Sequence, residues 1–321
     1  MFNRRYLLAG LLGAPLLTSS LSLGGAEASD VPQEFRIGYQ KSSSLLVVAK
    51  QQQAFEKRLA ELGVNNVKWV EFQFGPPLLE ALGAGAVDFG VTGDTPPIFA
   101  QSAGASLVYA ASSPAVQNAL LVKQDSPIQS VAELKGKKVA FGKGSSSHNF
   151  TVQALKLAGL DYSDIEPAYL APADAVAAFT TGSVDAWAVW DPYFAIAEAK
   201  HGARPLVTTA NEGLDSNSFY LASRSFAEAH PDVLAAVVDE LVGVAEWAAA
   251  NKDELASISA AATGIDLAAQ KAAIDRYRIE VHPLSDDVVA KQQAIADTFH
   301  ALGLIPNPVN VRDIVWNAPT N

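Results

Sequence analysis

The chain has 321 residues, 49% apolar and 18% charged, with a formal net charge of −11. That length holds two domains or one large one with buried cores, and the acidity argues against nucleic acid and anionic membrane as partners. There is no cysteine, and the single methionine is Met1, which excludes disulfides and cysteine-ligated metals.

Residues 1–28 read as a cleavable export signal. Arg4 and Arg5 form a positive n-region, Tyr6 to Leu23 is an interrupted apolar stretch, and Ala26-Glu27-Ala28 fits the small-x-small cleavage rule. The Arg4-Arg5-Tyr6-Leu7-Leu8 run resembles a twin-arginine signal; twin-arginine and general secretory export both remain open. No cysteine sits near the cleavage site to take a lipid, so the expectation is a soluble periplasmic protein, and a monomer. The mature chain has 293 residues, and loss of Arg4, Arg5 and Glu27 takes the net charge from −11 to −12. It also contains no sulfur. Economy in a protein made under sulfur shortage and compositional drift in an Ala-rich chain both account for that.

Strand-like and helix-like segments then alternate. Phe35–Tyr39 is a strand, Ser44 to Leu62 a helix with Leu45, Val48, Phe55, Leu59 and Leu62 on one face, and Gly63 its stop. Val67–Phe72 is a strand, Pro77–Gly83 a short helix and Val87–Thr92 a strand. The pattern returns about a hundred residues later. Lys138–Phe141, Pro167–Leu170 and Val184–Val189 are its strands, with helices over Asn149–Ala158 and Ala173–Thr180. Leu206–Thr208 and Asn217–Ser223 add strands, Phe226 to about Gly303 is mainly helical, and Asn310–Val315 is a final extended piece.

Two local matches tie the halves together. Gly85-x-Val87-Asp88 runs on to Asp94 and Gly182-x-Val184-Asp185 to Asp191, each a nine-residue span ending just before Pro96 or Pro192. Gln40-Lys41-Ser42-Ser43-Ser44 is echoed by Lys143-Gly144-Ser145-Ser146-Ser147, each between a strand and a helix. The βαβαβ alternation predicts two similar α/β lobes with mostly parallel sheets. Ligands of open α/β sheets bind beyond the carboxyl ends of the strands, where the Ser-rich turns and both Asp turns lie. The helical remainder packs on the first lobe or braces both.

The chemistry on offer is anion capture. A Gly-rich turn into a Ser-headed helix, Gly142 to Asn149, presents hydroxyls and unpaired N–H groups at the positive end of a helix dipole. A plain Ser N-cap explains the same residues; the echo at Ser42–Ser44 favours a site. The turn is not a Walker A loop, since Gly136 and Gly142 are six apart and Lys143 is followed by Gly. Ser147 and His148 are sequence neighbours, not a catalytic pair, and His201, His230, His282 and His300 lack metal-ligand spacing. Nothing calls for a cofactor, and no nucleophile elbow points to an enzyme. Trp187 reads as core and Trp190 as a cleft wall or core. Asp94 and Asp191 read as helix N-caps, because a carboxylate beside a bound anion repels it.

The segments Arg36–Lys41, Thr92–Ala100, Lys143-Gly144-Ser145-Ser146-Ser147-His148-Asn149 and Val184–Tyr193 resemble the periplasmic aliphatic-sulfonate-binding proteins of ABC importers, whose relatives bind taurine, nitrate or thiamine precursors. The likeness runs from about Phe35 to Trp316. It implies a type II periplasmic binding protein: lobe 1 over residues 29–117 and 222–321, lobe 2 over 118–221, joined by two hinge crossovers, closing on a ligand and delivering it to an inner-membrane permease. By position, Gly93, the Asp94 backbone N–H, Ser145, Ser146 and Gln40 meet the sulfonate oxygens. Ser147 and His148 belong to the same set, Trp190 and Asp191 border the tail, and Gln117 and Asn118 lie near the first crossover. The implied ligand is an alkanesulfonate, with taurine, nitrate or another small oxyanion as the alternative.

Overall fold

The computed structural model describes residues 31–214 and 216–319, so the expected export signal lies outside the described residues. The expected alternation is present twice. The first run is β1 (Phe35–Gln40), α1 (Ser44–Gln52), α2 (Ala54–Ala60), β2 (Val67–Phe72), α3 (Gly75–Gly83), β3 (Phe89–Gly93), α4 (Thr95–Ser102) and β4 (Leu107–Pro114). The second is β5 (Asn118–Lys123), β6 (Lys138–Phe141), α5 (Ser146–Leu157), β7 (Glu166–Tyr169), α6 (Pro172–Thr181), β8 (Ala186–Trp190), α7 (Tyr193–Lys200) and β9 (Ala203–Thr208). After β10 (Asn217–Ser223) come α8 (Arg224–Ala229), α9 (Pro231–Ala250), α10 (Lys252–Thr263), α11 (Leu267–Arg276) and α12 (Asp286–Ala301).

Two five-stranded sheets result, ordered β2-β1-β3-β10-β4 and β7-β6-β8-β5-β9. In each, the first three strands are parallel, and the fourth, antiparallel to its neighbours, is the strand that arrives from the other sheet. The sequence repeat has a structural cause. Asp88 accepts the Arg36 N–H at 2.8 Å, and Asp185 accepts the Lys138 N–H at 2.8 Å. Each carboxylate thereby fixes the register of its central strand pair at the amino ends. Gly85 and Gly182 precede them in the left-handed region, at φ +70° and +76°, which a side chain enters only at a cost.

The chain leaves the first sheet after Pro114 and joins the second at Asn118; it returns between Thr208 and Asn217. The expected return boundary at 221/222 needs correction, because it cuts β10. Ser218–Ala222 pair with β3 and Asn217–Ser223 with β4, so residues 217–221 belong with the first sheet.

Two further expectations change. The single helix over Ser44–Leu62 is broken at Gln53, which takes φ +54° while its N–H caps the Ala49 and Lys50 carbonyls. The break turns α2 toward β2, where Phe55 stacks on Trp69 at 5.8 Å and the Trp69 indole N–H donates to Glu56 at 2.8 Å. The extended piece expected over Asn310–Val315 is largely a 3₁₀ turn, Val311–Ile314, because the Asn310 side chain accepts the Arg312 N–H; Val315 alone bridges to Tyr109.

The C-terminal helices brace both lobes. α9 and α10 pack on α1 and α2, α12 packs on α4, and α11 crosses to α7 of the second lobe. Apolar cores cover both faces of each sheet: Phe35, Ile37 and Val48 on one face of the first, Leu78, Leu82 and Leu221 on the other, and Phe141 and Trp187 on opposite faces of the second.

Candidate functional site

The carboxyl ends of β1, β3 and β8 and the heads of α1 and α5 meet around a cleft of about 650 Å³, counting its open mouth. Its polar lining is Gln40, Ser42, Ser43, Ser44, Thr92, Ser113, Asn118, Ser145, Ser146 and Ser218, with Tyr220 and Tyr277. Its apolar lining is Leu45, Val91, Pro96, Ala115, Val116 and Trp190 with Gly75 and Gly93. None of these lining residues is Asp, Glu, Lys, Arg or His.

Donors come from two helix starts. Ser43 and Ser145 occupy the N-cap positions of α1 and α5, and neither side chain caps its own helix. The His148 N–H of α5 is taken by the Ser145 carbonyl at 3.0 Å; the earlier N–H groups of both first turns lack a side-chain cap, and both dipoles present their positive ends to the cleft. Gly93 makes this approach possible. A Cβ there would stand 2.6 Å from the Ser146 Cβ, so only glycine lets the head of α5 reach the end of β3.

The structure divides the expected site residues. Gln40, Gly93, Asn118, Ser145, Ser146 and Trp190 line the cleft. Gln40 donates one amide N–H to the Val91 carbonyl at 2.9 Å, which fixes its orientation. Asn118 caps the crossover, its backbone N–H donating to Thr209 Oγ1 at 3.0 Å. The Ser145 hydroxyl is engaged locally: it donates to the Gly142 carbonyl at 2.7 Å and shares a 2.8 Å contact with Ser147 Oγ. Ser146 Oγ makes only a 3.5 Å contact with Asn118 and is the freer hydroxyl at the α5 head.

The other five do not line this cleft. Ser147 is fully buried behind Ser145. His148 is fully buried as well, stacked on Phe141 at 4.9 Å. Its Nδ1 accepts the Gly144 N–H at 3.1 Å, which leaves the proton on Nε2 to donate to the Tyr162 hydroxyl at 3.0 Å. Burial and nearby Lys143 lower its pKa to about 3, so this imidazole is a neutral prop for the Gly-rich turn. Gln117 is half-buried, and its carbonyl accepts the Asp191 N–H at 2.9 Å.

Asp94 and Asp191 are wholly buried in the walls, and each ties one lobe to the other. Asp94 Oδ2 accepts from Asn149 of α5 at 2.9 Å and from Ser216 of the return crossover at 2.8 Å; Oδ1 accepts from Thr95 at 2.8 Å. Its carbonyl accepts from Gln292 of α12 at 2.6 Å. Asp191, which precedes the Pro192 N-cap of α7, accepts the Ala195 N–H at 3.1 Å and faces the Arg276 guanidinium of α11 at 3.4 Å. Arg276 also pairs with Glu198 and lies 4.1 Å from the Phe194 ring centre. Burial raises both carboxyl pKa values to about 6, against the Thr95, Ser216 and Asn149 donors for Asp94 and against Arg276 for Asp191.

Sequence reasoning missed Thr92, Ser113, Ser218, Tyr220 and Tyr277. Ser218 and Tyr220 sit two apart on β10, and Ser113 lies opposite Ser218, so the period-two alternation of β10 carried the signal for one face.

Comparison with known proteins gives consistent findings. The model of the NMT1-like family matches residues 31–263. A protein of Escherichia coli (strain K12) named for binding aliphatic sulfonates is 43% identical over 96% of this chain and 94% of its own. One of the same name from Bacillus subtilis (strain 168) is 37% identical over 89% of this chain and 86% of its own. The solved structure of the alkanesulfonate-binding protein of Xanthomonas axonopodis pv. citri, bound to MOPS, superposes with a TM-score of 0.83 at 40% identity, covering 89% of this chain and 98% of that one.

Proposed function

The chain belongs to the NMT1-like family, and on that premise we propose that it is the solute-binding component of an ABC importer, capturing alkanesulfonates in the cleft between its lobes. It acts as a periplasmic monomer, exported by the segment 1–28, and hands its ligand to an inner-membrane permease. The crossovers between Pro114 and Asn118 and between Thr208 and Asn217 serve as the hinge. It binds its ligand and does not transform it.

The observation that carries this reading is a cleft whose lining holds no charged side chain and combines two helix N-termini, one from each lobe, with apolar side chains. A sulfonate spreads one negative charge over three oxygens. The first turns of α1 and α5, with Ser146 and the Gly93 region, approach it from several directions. The tail then meets Leu45, Val116, Pro96 and Trp190. Hydrogen bonds to a charged group contribute roughly 1.5–3 kcal/mol each. Four or five of them reach about −8 kcal/mol, the micromolar range, after association costs.

The same lining ranks the alternatives. Taurine carries an ammonium, and the one carboxylate bordering an adjoining hollow, Asp191, is already engaged by the Ala195 N–H and Arg276; an unpaired buried charge costs several kcal/mol. Nitrate has no tail to fill the apolar half.

Calorimetry with alkanesulfonates of graded length, MOPS, taurine, sulfate and nitrate tests the reading. Micromolar binding of alkanesulfonates with taurine and nitrate at least tenfold weaker is expected, as is a tenfold loss for Ser146→Ala. Equal affinity for taurine, an unaffected Ser146→Ala protein or release of a converted product would each sink it.

A further inference from the structure

We propose that Ser113, Tyr220 and Tyr277 form a second polar subsite in the cleft, which takes a hydroxyl group carried on the tail of a bound sulfonate. This rests on the alkanesulfonate reading above and extends it to a class of tail.

Buried hydroxyls in folded proteins are almost always hydrogen-bonded. Ser113 is only 2% exposed and lines the cleft; its Oγ makes no hydrogen bond of full geometry among the described residues, and the Tyr220 and Tyr277 hydroxyls that interact with it leave that capacity incompletely used. The Tyr220 and Tyr277 hydroxyls lie beside it and line the same cleft. Burial raises both phenol pKa values, that of Tyr277 to about 12 and that of Tyr220 well above the ordinary value. Both rings therefore stay protonated and keep a proton to donate.

The three groups are held by regular structure. Ser113 stands opposite Ser218 in the β4–β10 ladder, and Tyr220 follows two residues on, on the same face. The Tyr220 ring stacks with Phe89 at 6.1 Å. Tyr277 ends α11, its N–H donating to the Ile274 carbonyl and its carbonyl accepting from Lys252 Nζ, both at 3.1 Å. Held from three elements, the hydroxyls stand beside one another without completing a hydrogen bond of full geometry to Ser113.

The chemistry selects the occupant. Three neutral hydroxyls both donate and accept, so they suit a neutral group that does the same. They offer no charge to an ammonium. A methyl-ended tail leaves Ser113 unpaired, whereas a hydroxyl-ended tail pairs it, and sites built to hydrogen-bond a substrate hydroxyl discriminate against the analogue lacking it. The cluster and the two helix starts line one cleft, within which one ligand of sufficient length reaches both.

The test is calorimetry on the mature chain with matched pairs: 2-hydroxyethane-, 3-hydroxypropane- and 4-hydroxybutanesulfonate, each against its unsubstituted parent. At one chain length the hydroxylated compound is expected to bind about threefold to tenfold tighter, the range of one net neutral hydrogen bond. Ser113→Ala should bring that preference below twofold by weakening the hydroxylated compound more than its parent. Tyr277→Phe should reduce it in part and serves if Ser113→Ala proves unstable. The proposal is overturned if no pair differs by twofold in the wild type, or if Ser113→Ala weakens hydroxylated and plain compounds alike, which would place Ser113 at the sulfonate head. Failure of every sulfonate to bind the wild type would instead strike the underlying reading.

Discussion

Replacing Gly93 with alanine should weaken ligand binding without unfolding the protein. An added Cβ would lie 2.6 Å from the Ser146 Cβ, 3.1 Å from its Oγ and 3.7 Å from its Cα. Carbon atoms pack at about 3.5–4.0 Å, so relief requires a movement of roughly 1 Å. Gly93 ends a strand paired to Ser218, and Ser146 is the first residue of α5; neither yields locally. The movement available is separation of the two lobes. Overpacking of this kind costs about 1–3 kcal/mol, and here it falls on the state in which the lobes meet around a ligand. At about 1.4 kcal/mol per tenfold, Gly93→Ala should weaken an alkanesulfonate by roughly fivefold to a hundredfold in calorimetry. The unliganded protein should melt within a few degrees of wild type. Ser146→Gly removes both close atoms and leaves only the 3.7 Å contact. In that background the added methyl should cost less than twofold. An unchanged affinity in Gly93→Ala, or the same loss in both backgrounds, would refute the steric argument.

His148→Phe should leave ligand affinity within twofold, since the imidazole is a buried neutral prop. It should lower stability by about 1–3 kcal/mol in urea melts by orphaning the Gly144 N–H; a tenfold affinity loss would return His148 to the ligand. Arg276→Gln should destabilise the fold by roughly 2–3 kcal/mol at pH 7, less than for a fully buried pair because Arg276 is part-exposed. That deficit should shrink toward pH 5, because burial already raises the Asp191 pKa to about 6 and loss of Arg276 raises it further. Between about pH 4 and pH 6 the native state binds more protons at Asp94 and Asp191 than the unfolded chain does. Through these two groups, stability should fall as pH rises across that window and level off above it; an equal Arg276→Gln deficit at both pH values would contradict this. Trp190→Phe should abolish the fluorescence change on ligand addition, and a full signal in the variant would place the reporter elsewhere.

The fold was legible where local pattern and tertiary role coincide. Val67–Phe72, Lys138–Phe141 and Asn217–Ser223 form strands at the bounds their β-branched and apolar content suggests. The Gly-x-Val-Asp repeat marks a real equivalence, because Asp88 and Asp185 perform the same backbone task. Strands β4 and β5 were not legible: they run almost into one another across the crossover, with no helix to set them apart. The break at Gln53 was hidden because both halves of that helix keep one apolar face. At the site, the Ser-headed turns announced themselves. Side-chain direction did not: Ser146 and Ser147 are adjacent in sequence, yet one lines the cleft and the other is buried behind it. Tyr277, on the far side of a helical region, reaches the cleft only through the tertiary brace of α11.

A chain of net charge −11 is an unexpected receptor for an anion, and the geometry resolves the conflict. At physiological salt a charge is screened over about 8 Å, so the distant surface contributes little and the local wall decides. The two carboxylates that the sequence repeat carries toward the cleft are turned into its walls. There Thr95, Asn149 and Ser216 engage Asp94, and Arg276 faces Asp191. The polar groups that line the cleft are hydroxyls, side-chain amides and the first turns of α1 and α5. Such groups stabilise a delocalised negative charge through their dipoles, and they hold their orientation before the ligand arrives. A lysine or arginine in their place would attract any anion, phosphate included. A neutral cradle with an apolar wall instead binds an anion in proportion to how well its shape and tail fit. The aspartates that would have repelled the ligand instead cross the seam between the lobes, Asp94 to Asn149 and Asp191 to Arg276.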